Sequence, residues 1–244
     1  MKEERFFFHP NPETGLLPAD EATHATRVLR LGVGDEMRLI DGRGHFLTAR
    51  ITEATNHRCA FAITATELRQ PEWAGHIHIA LAPTKNIDRI EWFAEKATEI
   101  GIDRISLLDC KNSERRTVKT ERIEKIIIAA MKQSHKAYLP QLDEMQAITD
   151  FLRRDDLPQQ RYIAHCHDPR DIDTNTEATL PFLGDILLRQ TDALVLIGPE
   201  GDFSRDEVRL AMQLGFHPVS LGTSRLRTET AALVATHLIR LANR

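Results

Sequence analysis

The residues best suited to chemistry in this chain lie between Leu194 and Ala232. Leu194-Val195-Leu196-Ile197 is an apolar run that breaks into Gly198-Pro199-Glu200-Gly201-Asp202-Phe203-Ser204, a loop with two glycines. Glycines there let backbone amides come close to a ligand. Ser204 with Glu207 is a capping-box signal for a following helix. A second strand end, Val219-Ser220-Leu221-Gly222, precedes Ser224-Arg225-Leu226-Arg227-Thr228-Glu229-Thr230-Ala231-Ala232. That segment carries two arginines into a helix start whose small residues permit close approach and whose dipole adds positive potential. The available groups are therefore amide donors, guanidinium groups to meet negative charge, and carboxylates able to accept a proton. No loop here is a G-x-G-x-x-G or Walker motif, so nothing requires a phosphate. Taken singly, each is also an ordinary strand-to-helix turn, and Arg227 with Glu229 a surface pair worth little.

Strands and helices must bring these segments together. From His76 onward the chain alternates strand and helix. Ile77 to Ala82 reads as a strand. Asp88 to Ile100 places Ile90, Phe93, Ala94, Ala97 and Ile100 on one helical stripe ended by Gly101. Arg104 to Leu108 is the next strand, completing a right-handed βαβ unit. Further strands are expected at Tyr162 to Cys166, Leu194 to Ile197 and Val219 to Leu221. Helices are expected at Glu121 to His135, Ser204 to Leu214 and Thr228 to Ala242. The fold class is α/β, a mainly parallel sheet with helices on both faces. Ligands of such sheets bind beyond the carboxyl ends of strands, where the glycine loops lie.

The first seventy or so residues read differently. Phe6-Phe7-Phe8 is a short apolar run, Asp20 can cap a short helix through Leu29, and Glu36 to Ile40, Phe46 to Thr52 and Cys59 to Thr66 are strand-like. Asp41-Gly42-Arg43-Gly44 is a hairpin signal, so several short strands with turns suggest a small barrel. Pro71 to Gly75 reads as a linker, giving domains at 1–70 and 76–244.

Composition fits a globular protein of 244 residues, 41% apolar and 28% charged. No apolar run approaches the span of a bilayer, and Met1 to Arg5 lacks a signal-peptide core. Cys59, Cys110 and Cys166 form no C-x-x-C pair and suit a reducing compartment, so the expected location is cytoplasmic. A net charge of −4 counts against non-specific wrapping of nucleic acid. A local basic face suffices for RNA, and Lys111 to Lys136 is rich in Lys and Arg, whereas Leu142 to Asp185 is acidic. His165-Cys166-His167-Asp168 and His76-x-His78 put pairs of histidines on one strand face. A metal needs further convergent ligands that the spacing does not supply.

Gly198-Pro199-Glu200-Gly201, Ser220-Leu221-Gly222 and Leu226-Arg227-Thr228-Glu229-Thr230-Ala231-Ala232, in this order and spacing, resemble the RsmE family, the 16S rRNA uracil-N3 methyltransferases of the SPOUT superfamily. The resemblance extends to Lys96-Ala97-Thr98-Glu99-Ile100-Gly101, to Lys132-Gln133-Ser134 and to Val28 through Asp35 with Asp41-Gly42, so it covers nearly the whole chain. It implies a PUA-like β-barrel before a SPOUT domain with a C-terminal trefoil knot, and a homodimer. It also implies S-adenosyl-L-methionine as cofactor and a uridine of 16S rRNA as substrate, uridine 1498 by the family's pattern. The family usually has glycine where this chain has Asp202. If the position takes a positive φ, Asp tolerates it less well than Gly.

On that resemblance, the cofactor set comprises Leu196, Ile197, Gly198, Pro199, Glu200 and Gly201 of the first loop and Ser220, Leu221 and Gly222 of the second. Leu226, Arg227, Thr228, Thr230 and Ala231 complete it. Arg227 is expected to stabilise charge on the uracil, and Glu229 or Glu200 to accept the N3 proton. Candidate RNA contacts are Arg5, Arg27 and Arg30 in the barrel, with Lys85, Arg115, Arg116, Lys132 and Lys136 in the larger domain. Two competing readings remain, a non-catalytic RNA-binding ribosome-assembly factor on the same fold and a metalloenzyme. No metal is expected.

Overall fold

The computed structural model describes residues 5–55, 57–173 and 179–244. Met1 to Glu4, read above for a leader, and part of the acidic stretch lie outside the described residues. The chain divides into two compact units, residues 1–71 with 128–139 and residues 72–127 with 140–244.

In the first unit, strands β1 (Phe6–Phe8), β2 (Glu36–Ile40), β3 (His45–Ala54) and β4 (Cys59–Leu68) form a four-stranded sheet in that order, with β1 parallel to β2 and the others antiparallel. Met37, Leu39, Leu47, Ala49, Ile51, Cys59 and Phe61 form a core with Phe7, Leu17, Ala22 and Ala25. Ala22 lies on helix α1 (Ala19–Thr23), which runs on into a π-helical turn over His24–Val28. Pro18, not Asp20, occupies its N-cap, and no side chain caps it. The Asp41 carboxylate accepts from the amides of Arg43 (2.8 Å) and His45 (3.0 Å), which fixes the β2–β3 turn. A second cluster joins Phe6, Ile40 and Phe46 to Met131 and Ala137. That burial is why residues 128–139, assigned above to the larger domain, belong with the first unit.

The second unit is built on a parallel sheet of β5 (Ile77–Leu81), β6 (Arg104–Asp109), β7 (Gln141–Leu142), β8 (Gln146–Ala147), β9 (Gln160–Ala164), β10 (Ala193–Ile197) and β11 (His217–Val219). The order is β11-β9-β10-β5-β6-β7, with β8 also pairing on β6. Helices α2 (Asp88–Ile100), α3 (Thr120–Gln133, whose end enters the first unit), α4 (Ile148–Phe151), α5 (Pro169–Ile172), α6 (Leu183–Ile186), α7 (Arg205–Gln213) and α8 (Thr228–Ala242) connect and cover it. Every residue of β5 and β10 is buried, as central strands covered on both faces require. Leu194 and Leu196 pack with Phe151, Val208 and Ala211. Alternation turns Val195 and Ile197 the other way, to the side where α8 packs on β5 and β10 and against α2. Ser204 caps α7 with the expected capping box. No helix among the described residues is long and apolar enough to cross a membrane.

Candidate functional site

The ladder joining β9, β10 and β11 runs out at Ala164, Ile197 and Val219. Beyond it three loops, 165–168, 198–204 and 220–227, surround a cavity of about 520 Å³, within the range of small-molecule sites. Position 198 is tight for any larger residue, because a Cβ there would stand 3.0 Å from the Phe203 nitrogen. Gly222 has φ +118°, and no atom lies within 4 Å of the place its Cβ would take. The loops are tied down locally. Thr228 Oγ1 donates to the Gly198 carbonyl (3.1 Å), joining the start of α8 to the first loop. Gly222 N–H donates to Ser220 Oγ (3.1 Å). Ser220 N–H donates to Pro181 O (2.8 Å), and Leu183 N–H to Ser220 O (2.9 Å), so the crossover before β10 runs beside the chain after β11.

The cavity gathers most of the expected cofactor set: Ile197, Gly198, Pro199, Glu200, Gly201, Ser220, Leu221, Gly222, Leu226, Arg227, Thr228 and Ala231 all line it. Leu196 and Thr230 do not. Leu196 points into the sheet core, and Thr230 lies off the face shared by Arg227 and Ala231, one helical turn apart. Glu229 is also outside the lining. It is 7% exposed, and its Oε1 stands 3.9 Å from Arg89 Nε on α2. Its Oε2 is buried without a hydrogen-bond partner. Glu200 is exposed in the cavity wall, with Oε1 accepting from Lys85 N–H (3.0 Å).

Several wall residues were not assigned to the site from sequence: Arg89, His165, Cys166, His167, Asp202 and Arg225. The strand expected at Tyr162 to Cys166 ends at Ala164, which frees His165 and Cys166 to enter the cavity loop. His167 Nε2–H donates to Phe203 O at 2.6 Å. His165 Nδ1 is buried with no partner, and burial pushes the imidazole pKa down against the pull of the Asp202 carboxylate. Asp168, the supposed neighbouring ligand, instead caps α5 and pairs with Arg170. Among the described residues no group of three or more His, Cys, Asp or Glu side chains could hold a metal ion. Asp202 does take positive φ, +61°. Arg225 and Arg227 are both exposed, and no ion pair among the described residues engages either.

The basic residues proposed for RNA sit in both units. Arg5, Arg27 and Arg30 are exposed in the first, Arg27 bonded to His57 (3.0 Å) and Arg30 at φ +56°. Lys132 and Lys136 also belong to the first unit, and Lys132 pairs with Glu21 at 2.5 Å. In the second unit Lys85 pairs with Glu114 (2.9 Å), Arg116 with Asp109 (2.6 Å), and Arg115 donates to the carbonyls of Thr84 and Lys85. These charges are already engaged, which reduces what each can offer a phosphate.

Residues 71–240 match a family profile described as an RNA methyltransferase domain, and residues 17–64 one described as an RNA methyltransferase PUA domain. A crystal structure of a probable rRNA-methyltransferase from Porphyromonas gingivalis is 43% identical, covers 98% of each chain and superposes with a TM-score of 0.87. A ribosomal RNA small subunit methyltransferase E from Neisseria gonorrhoeae, solved bound to S-adenosyl methionine, is 27% identical over 96% of this chain and 95% of its own, with a TM-score of 0.80. Ribosomal RNA small subunit methyltransferase E of Rickettsia conorii is 29% identical over 92% of this chain and 88% of its own length.

Proposed function

The chain belongs to the RNA methyltransferase family, and from that membership and the cavity at the strand ends we propose that it methylates N3 of a uridine in 16S rRNA of the small ribosomal subunit, using S-adenosyl-L-methionine. The observation that carries this reading is the cavity itself, walled by three loops at neighbouring parallel strand ends. Gly222 leaves open space on one side, and Ile197, Leu226 and Ala231 supply apolar surface. Such walls suit a nucleoside with an amino-acid arm. The Neisseria relative's bound cofactor supports the same choice.

S-adenosylmethionine supplies an electrophilic methyl on a sulfonium, whose departure needs no acid. The protein's task lies with the nucleophile, because uracil N3 carries a proton at neutral pH. Backbone groups of residues 198–201 and 221–222 would hold the cofactor, and Thr228 keeps the first of these loops against α8. Arg227 stabilises negative charge gathering on the uracil oxygens. Glu200, in the cavity wall, is better placed to take the N3 proton than Glu229, which is buried against Arg89. Orienting N3 contributes ~7–11 kcal/mol, while unstacking the base costs a few kcal/mol, so an exposed single-stranded uridine is the favoured target.

The exposed arginines of the first unit, Arg5, Arg27 and Arg30, hold the RNA backbone, with Lys85, Arg115, Arg116, Lys132 and Lys136 adding to the field. A trefoil knot in the C-terminal chain belongs to the same proposal, supported by the pairing of Phe182 with Ser220, as does a homodimer working on ribosomal RNA in the cytoplasm. The test is mass spectrometry of nucleosides from 16S rRNA of cells with and without the gene. Loss of 3-methyluridine on deletion is expected, and an unchanged level refutes the reading.

A further inference from the structure

We infer that Asp202 is a positioning residue for the cofactor cavity, its carboxylate fastening the loop after β9 to the loop after β10. The inference rests on the reading of that cavity given above. β9 and β10 pair through Ala164 and Ile197, and no ladder bond holds the strands together beyond that point. The Cys166 amide, two residues on, would have no backbone acceptor. Asp202 Oδ2 takes that N–H at 2.7 Å, while Oδ1 takes the Phe203 N–H at 2.8 Å. His167 adds a second tie through Phe203 O (2.6 Å). The Asp202 backbone is held as well, its N–H on Pro199 O (2.9 Å) and its carbonyl on Asn112 Nδ2 (3.0 Å).

The conformation at this position carries a cost. A φ of +61° is unstrained for glycine and disfavoured for other residues, Asn and Asp least so. Glycine would adopt the backbone but offer no acceptor to Cys166. Strain kept at such a place is a pointer to function. Cys166, His167 and Asp202 all line the cavity, so the clamp sets the spacing of two of its walls.

The test compares Asp202→Asn, which tolerates the backbone and keeps one of the two acceptors, with Asp202→Gly, which relaxes the backbone and removes both. Hydrogen exchange at the Cys166 amide reads the clamp with no cofactor present, and the amides of β9 and β10 serve as the internal control for folding. Loss of one net hydrogen bond corresponds to about a fivefold change. Exchange at Cys166 should therefore accelerate by that factor or more in the glycine variant and by less in the asparagine variant. In methyl transfer, KM for S-adenosylmethionine should rise about fivefold in the glycine variant with kcat within about twofold, and less in the asparagine variant. Unchanged exchange in the glycine variant overturns the clamp. Faster exchange with unchanged KM overturns its link to the cavity. A wild-type protein with no affinity for S-adenosylmethionine sinks the cofactor reading, and the amide measurement still decides the clamp.

Discussion

His78 provides a quantitative test of how the sheet that carries the site is held together. It lies on β5, next to the strand that ends in the first cavity loop, and is 2% exposed. Its Nε2 bonds Ser106 Oγ (2.8 Å), and that hydroxyl donates to Asp143 Oδ2 (2.5 Å). Asp143 also receives Arg104 (2.9 Å) and Arg154 (3.2 Å). Burial, followed by the nearby Arg104 guanidinium, pushes the His78 imidazole from 6.5 down to about 3. A depressed folded value means that the unfolded chain takes up this proton first. Stability is therefore complete above pH 6.5 and lost as pH falls toward 3. The slope is about 1.4 kcal/mol per pH unit, and at pH 5 only about one unfolded molecule in thirty keeps this histidine neutral, so the loss from pH 7 to pH 5 is about 2 kcal/mol. Urea unfolding followed by tryptophan fluorescence reports this unit, since Trp73 and Trp92 both lie in it. His78→Gln should be less stable at pH 7 yet lose about 2 kcal/mol less than wild type on going to pH 5. Equal losses in the two proteins refute the assignment.

Further predictions concern the cavity and the RNA. Thr228→Val leaves the Gly198 carbonyl without its bond to Oγ1. It should cost about 1–3 kcal/mol in urea unfolding and weaken cofactor binding in calorimetry. Arg227→Ala should lower kcat for methyl transfer about 100-fold, and a normal rate removes Arg227 from the mechanism. RNA affinity should fall steeply with salt, and Arg30→Ala should reduce the magnitude of the log–log slope by about 0.7 if Arg30 meets one phosphate of a single strand. A flat salt response removes the basic surface from the account.

Much of the second unit could be read from residue spacing because its signals are local. The stripe Ile90, Phe93, Ala94 and Ala97 with Gly101 marks α2 at both ends, and Ser204 with Glu207 marks the start of α7. Other features depend on contacts that a linear reading does not contain. β7 and β8 have two residues each, too few for a period. Met131 continues a helical pattern that looks like the larger domain, and only its burial with Phe6, Phe46 and Ala137 places it in the first unit. Spacing marked the glycine loops as a site. Arg89 gave no such signal, because it reaches the cavity from a helix more than a hundred residues away in sequence. His165 and Cys166 continue the strand's character past the point where pairing stops at Ala164. The turn of Glu229 toward Arg89 follows from the helical phase of α8, which spacing gives, and from the place of α2, which it does not.

Titration calorimetry of the purified protein with S-adenosylmethionine bears most directly on the account. Saturable binding at one site per chain, weakened by Thr228→Val, is the predicted result. No heat of binding at millimolar cofactor, in protein shown to be folded, would contradict the reading of the cavity and the methyl-transfer function built on it.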